Sequence, residues 1–145
     1  MTIPLWTKVH AITEAALSCG ALQPIATECE IITEHGCQFL LRTLIPSASA
    51  GTQKPRQHRS SLQSSFHTRS PDNPFKPYDP ALYVSDLGAA HVCLLNKFNV
   101  VAHHLLIVSR EFIPQTRRLE LIDFTALALC LQQVDGLAFY NSGRG

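Results

Sequence analysis

The sequence carries little charge and no excess of either sign. Only 16% of its 145 residues are Asp, Glu, Lys or Arg, and 12 basic against 11 acidic side chains leave a net charge of +1. A balance that close excludes a chain whose whole surface binds nucleic acid electrostatically. No apolar run approaches the ~20 residues of a membrane-spanning helix. The stretch from Met1 to Gly20 alternates polar and apolar residues and lacks the apolar centre of a signal peptide. Cysteine pairs are missing as well: Cys19, Cys29, Cys37, Cys93 and Cys130 contain no Cys-x-x-Cys spacing, which removes a zinc knuckle or a thioredoxin-type redox pair. No Gly-x-Ser-x-Gly, Walker-type or Rossmann-type glycine motif occurs. The expectation is a soluble, cytoplasmic protein with reduced and mostly buried thiols.

What the chain does have is apolar content. At 46% hydrophobic residues it supports one packed domain, which at this length buries roughly 70% of the surface of the unfolded chain. Leu5, Val9, Ile12 and Ala16 share a helical face, with Pro4 suited to the first turn and Gly20 to the carboxyl cap, so a helix is predicted over 4–19. Residues 29–33 and 37–44 are β-prone runs on either side of Glu34-His35-Gly36, which predicts a hairpin. Two further apolar runs, His91–Leu95 and His104–Val108, read as strands covered on both faces. Leu121, Phe124, Ala128, Leu131 and Val134 share a second helical face before Gly136, and Leu137–Tyr140 reads as a last strand opening into the Gly-rich end Asn141-Ser142-Gly143-Arg144-Gly145. The order of elements predicts an α+β fold.

Between Pro46 and Pro71 the composition turns to Ser, Thr, Gln, Pro and Arg, the signature of a flexible loop. No Asp or Glu lies between Glu34 and Asp72, whereas Arg42, Lys54, Arg56, Arg59 and Arg69 all do. Two readings stand: a solvated basic loop, or a flap offering cations to an anionic ligand such as phosphate. His103-His104 on a strand would point to opposite faces and share no metal ion. Asp79 and Asp86 are too loosely placed to argue as a glycosidase-type pair. Residue types alone lead to an α+β domain with a phosphate-friendly basic loop.

The run from Leu94 to Arg110, Leu-Leu-Asn-Lys-Phe-Asn-Val-Val-Ala-His-His-Leu-Leu-Ile-Val-Ser-Arg, resembles the core of diadenosine tetraphosphate phosphorylases, also called ATP adenylyltransferases. Asn73-Pro74-Phe75 ahead of it and Asp135–Asn141 after it are similar to the same family in the same order, as are the Leu5-Trp6 helix and Gly20–Ile25. The resemblance spans nearly the whole chain outside 46–71. It implies a histidine-triad-like fold, an antiparallel sheet with flanking helices and the nucleotide along one sheet face. The implied reaction is nucleotidyl transfer, in which diadenosine tetraphosphate and inorganic phosphate give ADP and ATP through an adenylyl-histidine. Cations and N–H donors must hold the charge spread over the phosphoryl group.

On this resemblance the substrate-binding residues are Lys54 of the basic loop, Asn73 and Pro74 of the pocket wall, and Asn141, Ser142 and Gly143 of the phosphate-loop approach. His104 is implied as the supporting histidine. Lys54 solvated and Asn141 capping a turn remain the plain alternatives. The family's His-x-His-x-Gln motif, whose second histidine is the nucleophile, does not occur among these residues, and Ser142 stands where glycine is usual. No catalytic residue is therefore expected in this chain. The amino-terminal part of a nucleotidyltransferase domain is implied, with no resident cofactor and Mg2+ as the one candidate ion, brought with the nucleotide. The partners implied are adenine nucleotides, dinucleoside polyphosphates, inorganic phosphate and a separate carboxyl-terminal half. The alternative to an enzyme part is an inactive nucleotide-binding or protein-interaction module. Nucleic-acid binding through the basic stretch has only Phe66 for base stacking. An uncovered strand at 137–140 would leave the isolated chain marginally stable or self-associating.

Overall fold

The computed structural model describes residues 3–45 and 76–142. Lys54, Asn73, Pro74 and Gly143, together with the basic stretch 46–71, lie outside the described residues. The first element is helix α1, Leu5–Ser18, with Leu5, Val9, Thr13 and Ala16 buried. Thr13 is the polar member of that face, and its hydroxyl donates to the Val9 carbonyl at 2.7 Å, so its burial leaves no orphan group. The helix stops at Gly20, whose φ of +75° is open to glycine at no steric cost.

Strands β1, Thr27–Glu34, and β2, Cys37–Leu44, form the expected hairpin with Glu34 opposite Cys37. The two loop residues His35 and Gly36 have φ of +50° and +79°. Both positive values make the mirror-image turn that matches strand twist. The hairpin stands out from the body: every residue of β2 is exposed, and so is all of β1 but Thr27. Arg42, counted from sequence among the cations of the basic stretch, instead lies in β2 and anchors the hairpin's base. Its guanidinium donates to the Val100 carbonyl at 3.2 Å and to the Thr27 hydroxyl at 3.3 Å.

A 3-10 turn at Pro80–Leu82 leads into β3, Tyr83–Leu87, then β4, His91–Leu95, and β5, Leu105–Ser109. The three form one antiparallel sheet in the order β3-β4-β5. β3 was not legible in the sequence, because the prolines at 74, 77 and 80 precede it directly and its own run Tyr-Val-Ser-Asp-Leu is short and mixed. All five β4 side chains are buried, but β5 is only half-buried, so full cover holds for one of the two apolar runs. Helix α2, Leu121–Leu131, closes the described order. The architecture is α+β, as expected, with two separate antiparallel sheets and two helices.

The core joins Leu5, Val9 and Ala16 of α1 to Leu82, Val84, Leu87, Cys93 and Leu95 of the sheet region and to Ala126 and Cys130 of α2. Here the structure corrects the helical face read from sequence. Leu121 is 81% exposed and Phe124 51%, whereas the buried seam runs through Ala126 and Cys130. The cause is Asp123. Its carboxylate Oδ1 accepts from Nε2 of buried His91 at 2.9 Å, and its Oδ2 accepts from the Glu120 backbone N–H at 2.7 Å. That pairing turns a charged residue inward and rotates the apolar residues out.

Leu137–Tyr140, expected as a strand, is irregular, with Leu137 91% and Phe139 69% exposed. β-prone residues form a ladder only beside a partner edge, and none runs there among the described residues. The segment is held instead by the Tyr140 hydroxyl, which donates to the Gln115 carbonyl at 2.8 Å. The thiols also differ from expectation: Cys19, Cys29 and Cys37 are exposed and only Cys93 and Cys130 are buried. Among the described residues no helix is long and apolar enough to cross a membrane.

The His91–Asp123 tie generates the first test. Asp123→Ala strands a buried imidazole N–H and uncaps α2, so it should cost about 1–3 kcal/mol of stability by urea unfolding. A loss within ~0.5 kcal/mol, typical of surface changes, would show that the tie is dispensable.

Candidate nucleotide site

His103 and His104 precede β5 and are not part of it. His103 has a φ of +55°, which breaks the strand's alternation before it starts. The two rings nonetheless part company. His103 turns toward α1, where its Nδ1 lies 3.2 Å from the Thr13 hydroxyl and its ring sits 4.3 Å from His10 and 5.2 Å from Trp6, centre to centre. This ring docks a loop on a helix.

His104 continues the β4–β5 ladder by one pair. Leu95 is paired with Leu105, and the Asn96 N–H donates to the His104 carbonyl at 2.8 Å. Side chains alternate across a sheet, so His104, Leu106 and Val108 share a face with Asn96, Leu94 and Val92. Cys93, Leu95, Leu105 and Ile107 face the core on the other side. His104 therefore stands at one end of the sheet face turned away from the core cluster, the outer face, on which Val92 and Leu94 are themselves buried and His104, Leu106 and Val108 half-buried. Its Nδ1 accepts from the Asn96 side-chain amide at 3.3 Å, which puts the ring proton on Nε2 and aims that nitrogen away from the pair. Asn96 is itself fixed, because its side-chain oxygen accepts from the Phe98 N–H at 3.3 Å. From the sequence alone Asn96 is assigned no role of its own. The available signal was an asparagine placed directly after the apolar run Val92–Leu95.

At the opposite end of the same outer face, Val92 and Val108 floor a cleft of about 200 Å³ that is also lined by Lys76, Tyr78, Ser109 and Arg110. Arg110 is ion-paired with Asp86, which also accepts from the Tyr83 hydroxyl at 2.8 Å. From His104 to Val108 is about 13 Å along the strand. The face thus carries an imidazole at one end and two cationic side chains at the other.

The remaining expected site residues divide. The ring of Phe139 lies 6.2 Å from the His104 ring, which brings the 137–142 segment to the histidine. Asn141 and Ser142 are exposed, two and three residues further on. Lys54, Asn73, Pro74 and Gly143 fall outside the described residues.

Burial holds both imidazoles below the ordinary histidine range, and the neighbouring His10 adds to the effect on His103. The neutral form is thus favoured in the folded chain, while the unfolded chain protonates near pH ~6.5. Below that value the unfolded state binds more protons, so stability must fall as pH drops from about 7 toward 5. His104→Gln should flatten this acid limb in urea unfolding series at matched pH values. An unchanged slope would mean that His104 titrates normally.

The sequence matches the family described as the Ap4A phosphorylase N-terminal domain over residues 2–145. No curated protein sequence matches it. The crystal structure of yeast Ap4A phosphorylase Apa2 in complex with AMP is similar at 26% identity and a TM-score of 0.66, covering 92% of this chain and 40% of that one. A second structure of yeast Ap4A phosphorylase Apa2 gives 26% identity and a TM-score of 0.67, over 93% of this chain and 39% of that one. The structure of that yeast enzyme in complex with Ap4A, at 24% identity, a TM-score of 0.66 and the same 92% and 40% coverage, shares the fold. The chain spans about two fifths of the length of these structures. With a family match that runs through nearly all of its residues, the chain belongs to the Ap4A phosphorylase N-terminal domain family.

Proposed function

We propose that this chain is the nucleotide-binding part of an ATP adenylyltransferase acting on dinucleoside polyphosphates in the cytoplasm. In the complete reaction, diadenosine tetraphosphate and inorganic phosphate give ADP and ATP, the adenylyl group passing through a histidine supplied by the rest of the enzyme. The observation that carries the reading is the outer face of the β4–β5 pair, where a neutral, Asn96-oriented His104 stands at one end and Lys76 and Arg110 at the other. Family membership supports it, and so does the yeast relative solved with AMP.

The chemistry asks for a positioned imidazole and for fixed positive charge. With Nδ1 occupied by the Asn96 amide, the Nε2–H of His104 is without a partner among the described residues and is suited to a phosphate oxygen or to a second histidine. Lys54, Asn73, Pro74, Asn141, Ser142 and Gly143 remain the proposed substrate contacts, and His104 the proposed supporting histidine. Mg2+ would arrive with the phosphates: among the described residues no group of three or more His, Cys, Asp or Glu is placed to hold an ion. The His-x-His-x-Gln motif is not among these 145 residues, so this chain alone is proposed to bind without turnover.

A second reading, an interaction module, is favoured by one feature. The hairpin exposes Ile31, Leu40 and Leu44 at 61–67% each on one face and Phe39 at 54% on the other, apolar surface of the kind that marks an interaction site. Calorimetry separates the two. AMP should bind the chain, Asn96→Ala should weaken that binding about fivefold to tenfold, the worth of one hydrogen bond, and no ADP or ATP should appear from diadenosine tetraphosphate plus phosphate. No AMP binding by the unaltered chain would favour the interaction module, and turnover abolished by His104→Ala would overturn the division of labour.

A further inference from the structure

One side of α1 carries a ring cluster that the nucleotide site does not use. Trp6, His10 and Thr13 follow one another at helical spacings of four and three, so they share that side. All three meet His103, which stands in the turn between β4 and β5 with a φ of +55°. The Thr13 hydroxyl has one proton and donates it to the Val9 carbonyl at 2.7 Å. Toward His103, 3.2 Å away, it can only accept, so Nδ1 carries the ring proton and Nε2 is bare in the neutral imidazole. Any further proton goes to Nε2. The rings of His10 and His103 lie 4.3 Å apart, and the Trp6 ring stands edge-on to them at 4.8 and 5.2 Å. None of the three ion pairs among the described residues involves either histidine. The other charged or titratable groups on the surrounding elements are Lys8 and Glu14 of α1, Lys97 over the Phe98 ring, Arg42 at the Val100 carbonyl, and His104 next in the chain. The turn is also a junction. Its Lys97 and Asn99 carbonyls accept from the Gln23 and Ile25 N–H groups at 2.8 and 2.9 Å, its Val100 carbonyl anchors the hairpin, and it leads into His104.

We infer that His103 is a proton-operated latch: neutral, it docks the turn 96–104 on α1, and joint protonation of His10 and His103 releases that turn. The direction follows from burial and charge. A free imidazole takes up its proton near pH ~6.5. Burial first, and the neighbouring His10 second, hold docked His103 below that value. The docked turn therefore binds fewer protons than the released one, and docking weakens as pH falls below about 6.5. One proton on the pair leaves a single charge beside neutral rings. A second sets two like charges 4.3 Å apart, each disfavouring the other, with no carboxylate paired to either among the described residues. Asn99, Val100 and His104 belong to the same turn, so its release is felt at the hairpin base and at the entrance to β5. The latch belongs to the fold and operates with or without a nucleotide.

The test is a titration of the full, isotope-labelled 145-residue chain from about pH 7.5 to about pH 5, the range in which histidine changes charge. Ring shifts of His103, backbone amides of residues 99–102 and the emission of Trp6, the one tryptophan, are followed together. The turn amides and Trp6 should change in step with the His103 ring, while the amides of core-facing Leu95 and Ile107 stay in place. His10→Phe keeps a ring beside Trp6 and removes the second charge. In that variant the His103 midpoint should move up toward about 6.5, and the turn amides should no longer follow it. His10→Gln, at an exposed position, should give the same separation of ring from turn, which guards against a packing effect of the new phenyl ring. Four results would overturn the inference: turn amides unmoved down to pH ~5, a His103 midpoint unmoved in both variants, a turn released at the unaltered pH without His10, or Leu95 and Ile107 changing together with the turn, which is unfolding of the whole sheet.

Discussion

The constraint on which the rest of this structure depends is the complete enclosure of β4. Its two edges are taken by β3 and β5, and all five of its side chains are buried. A strand in that position has no freedom of register, because a slip of one residue would exchange its two faces. The face that carries Cys93 and Leu95 packs on the core, and Val92 and Leu94 are thereby fixed on the opposite face, where they too are buried. The proposed site groups of this sheet are placed by that alternation. Asn96 continues it past the strand's end, and His104 answers from the neighbouring chain segment through both a backbone and a side-chain hydrogen bond. The imidazole is thus positioned by the sheet register, as its proposed role toward a phosphate requires.

The same strand explains why α2 sits as it does. His91 opens β4 with a buried ring that needs a partner, and Asp123 supplies it from the helix. Pairing Asp123 with buried His91 fixes the orientation of the helix against its apolar pattern, and the consequence is a helix whose Leu121, Ile122 and Phe124 face out while Leu129 packs on the core. Hydrophobic patterning alone predicts the opposite face. Local spacing cannot reveal which carboxylate has a buried donor thirty-two residues away in the sequence.

Legibility in the sequence followed how local each feature is. α1 and the β1–β2 hairpin were readable, since Pro4, Gly20 and the His35-Gly36 turn act on their own neighbours. β4 was readable as an apolar run, and β3 was not, because its five mixed residues become a strand only through pairing with β4. Leu137–Tyr140 failed for the complementary reason: it has the composition of a strand and no partner edge among the described residues. At the site, His104 was identified by resemblance to a family, but its orienting partner Asn96 needed the sheet register to come into view. Lys54, Asn73, Pro74 and Gly143 lie outside the described residues, so the outer face of β4–β5 carries the structural side of the functional account.

That account has one central claim, which is that the nucleotide lies along this outer face. The direct measurement is a titration of the isotope-labelled chain with AMP, followed by amide and side-chain chemical shifts. The account predicts shifts that concentrate at Asn96, His104, Leu106 and Val108, with the His104 ring and the Asn96 amide moving together and the core-facing Leu95 and Ile107 side chains changing little. Shifts confined to the hairpin, or to a second cleft lined by Thr13 and Leu17 of α1 and by residues 99–103, would contradict it.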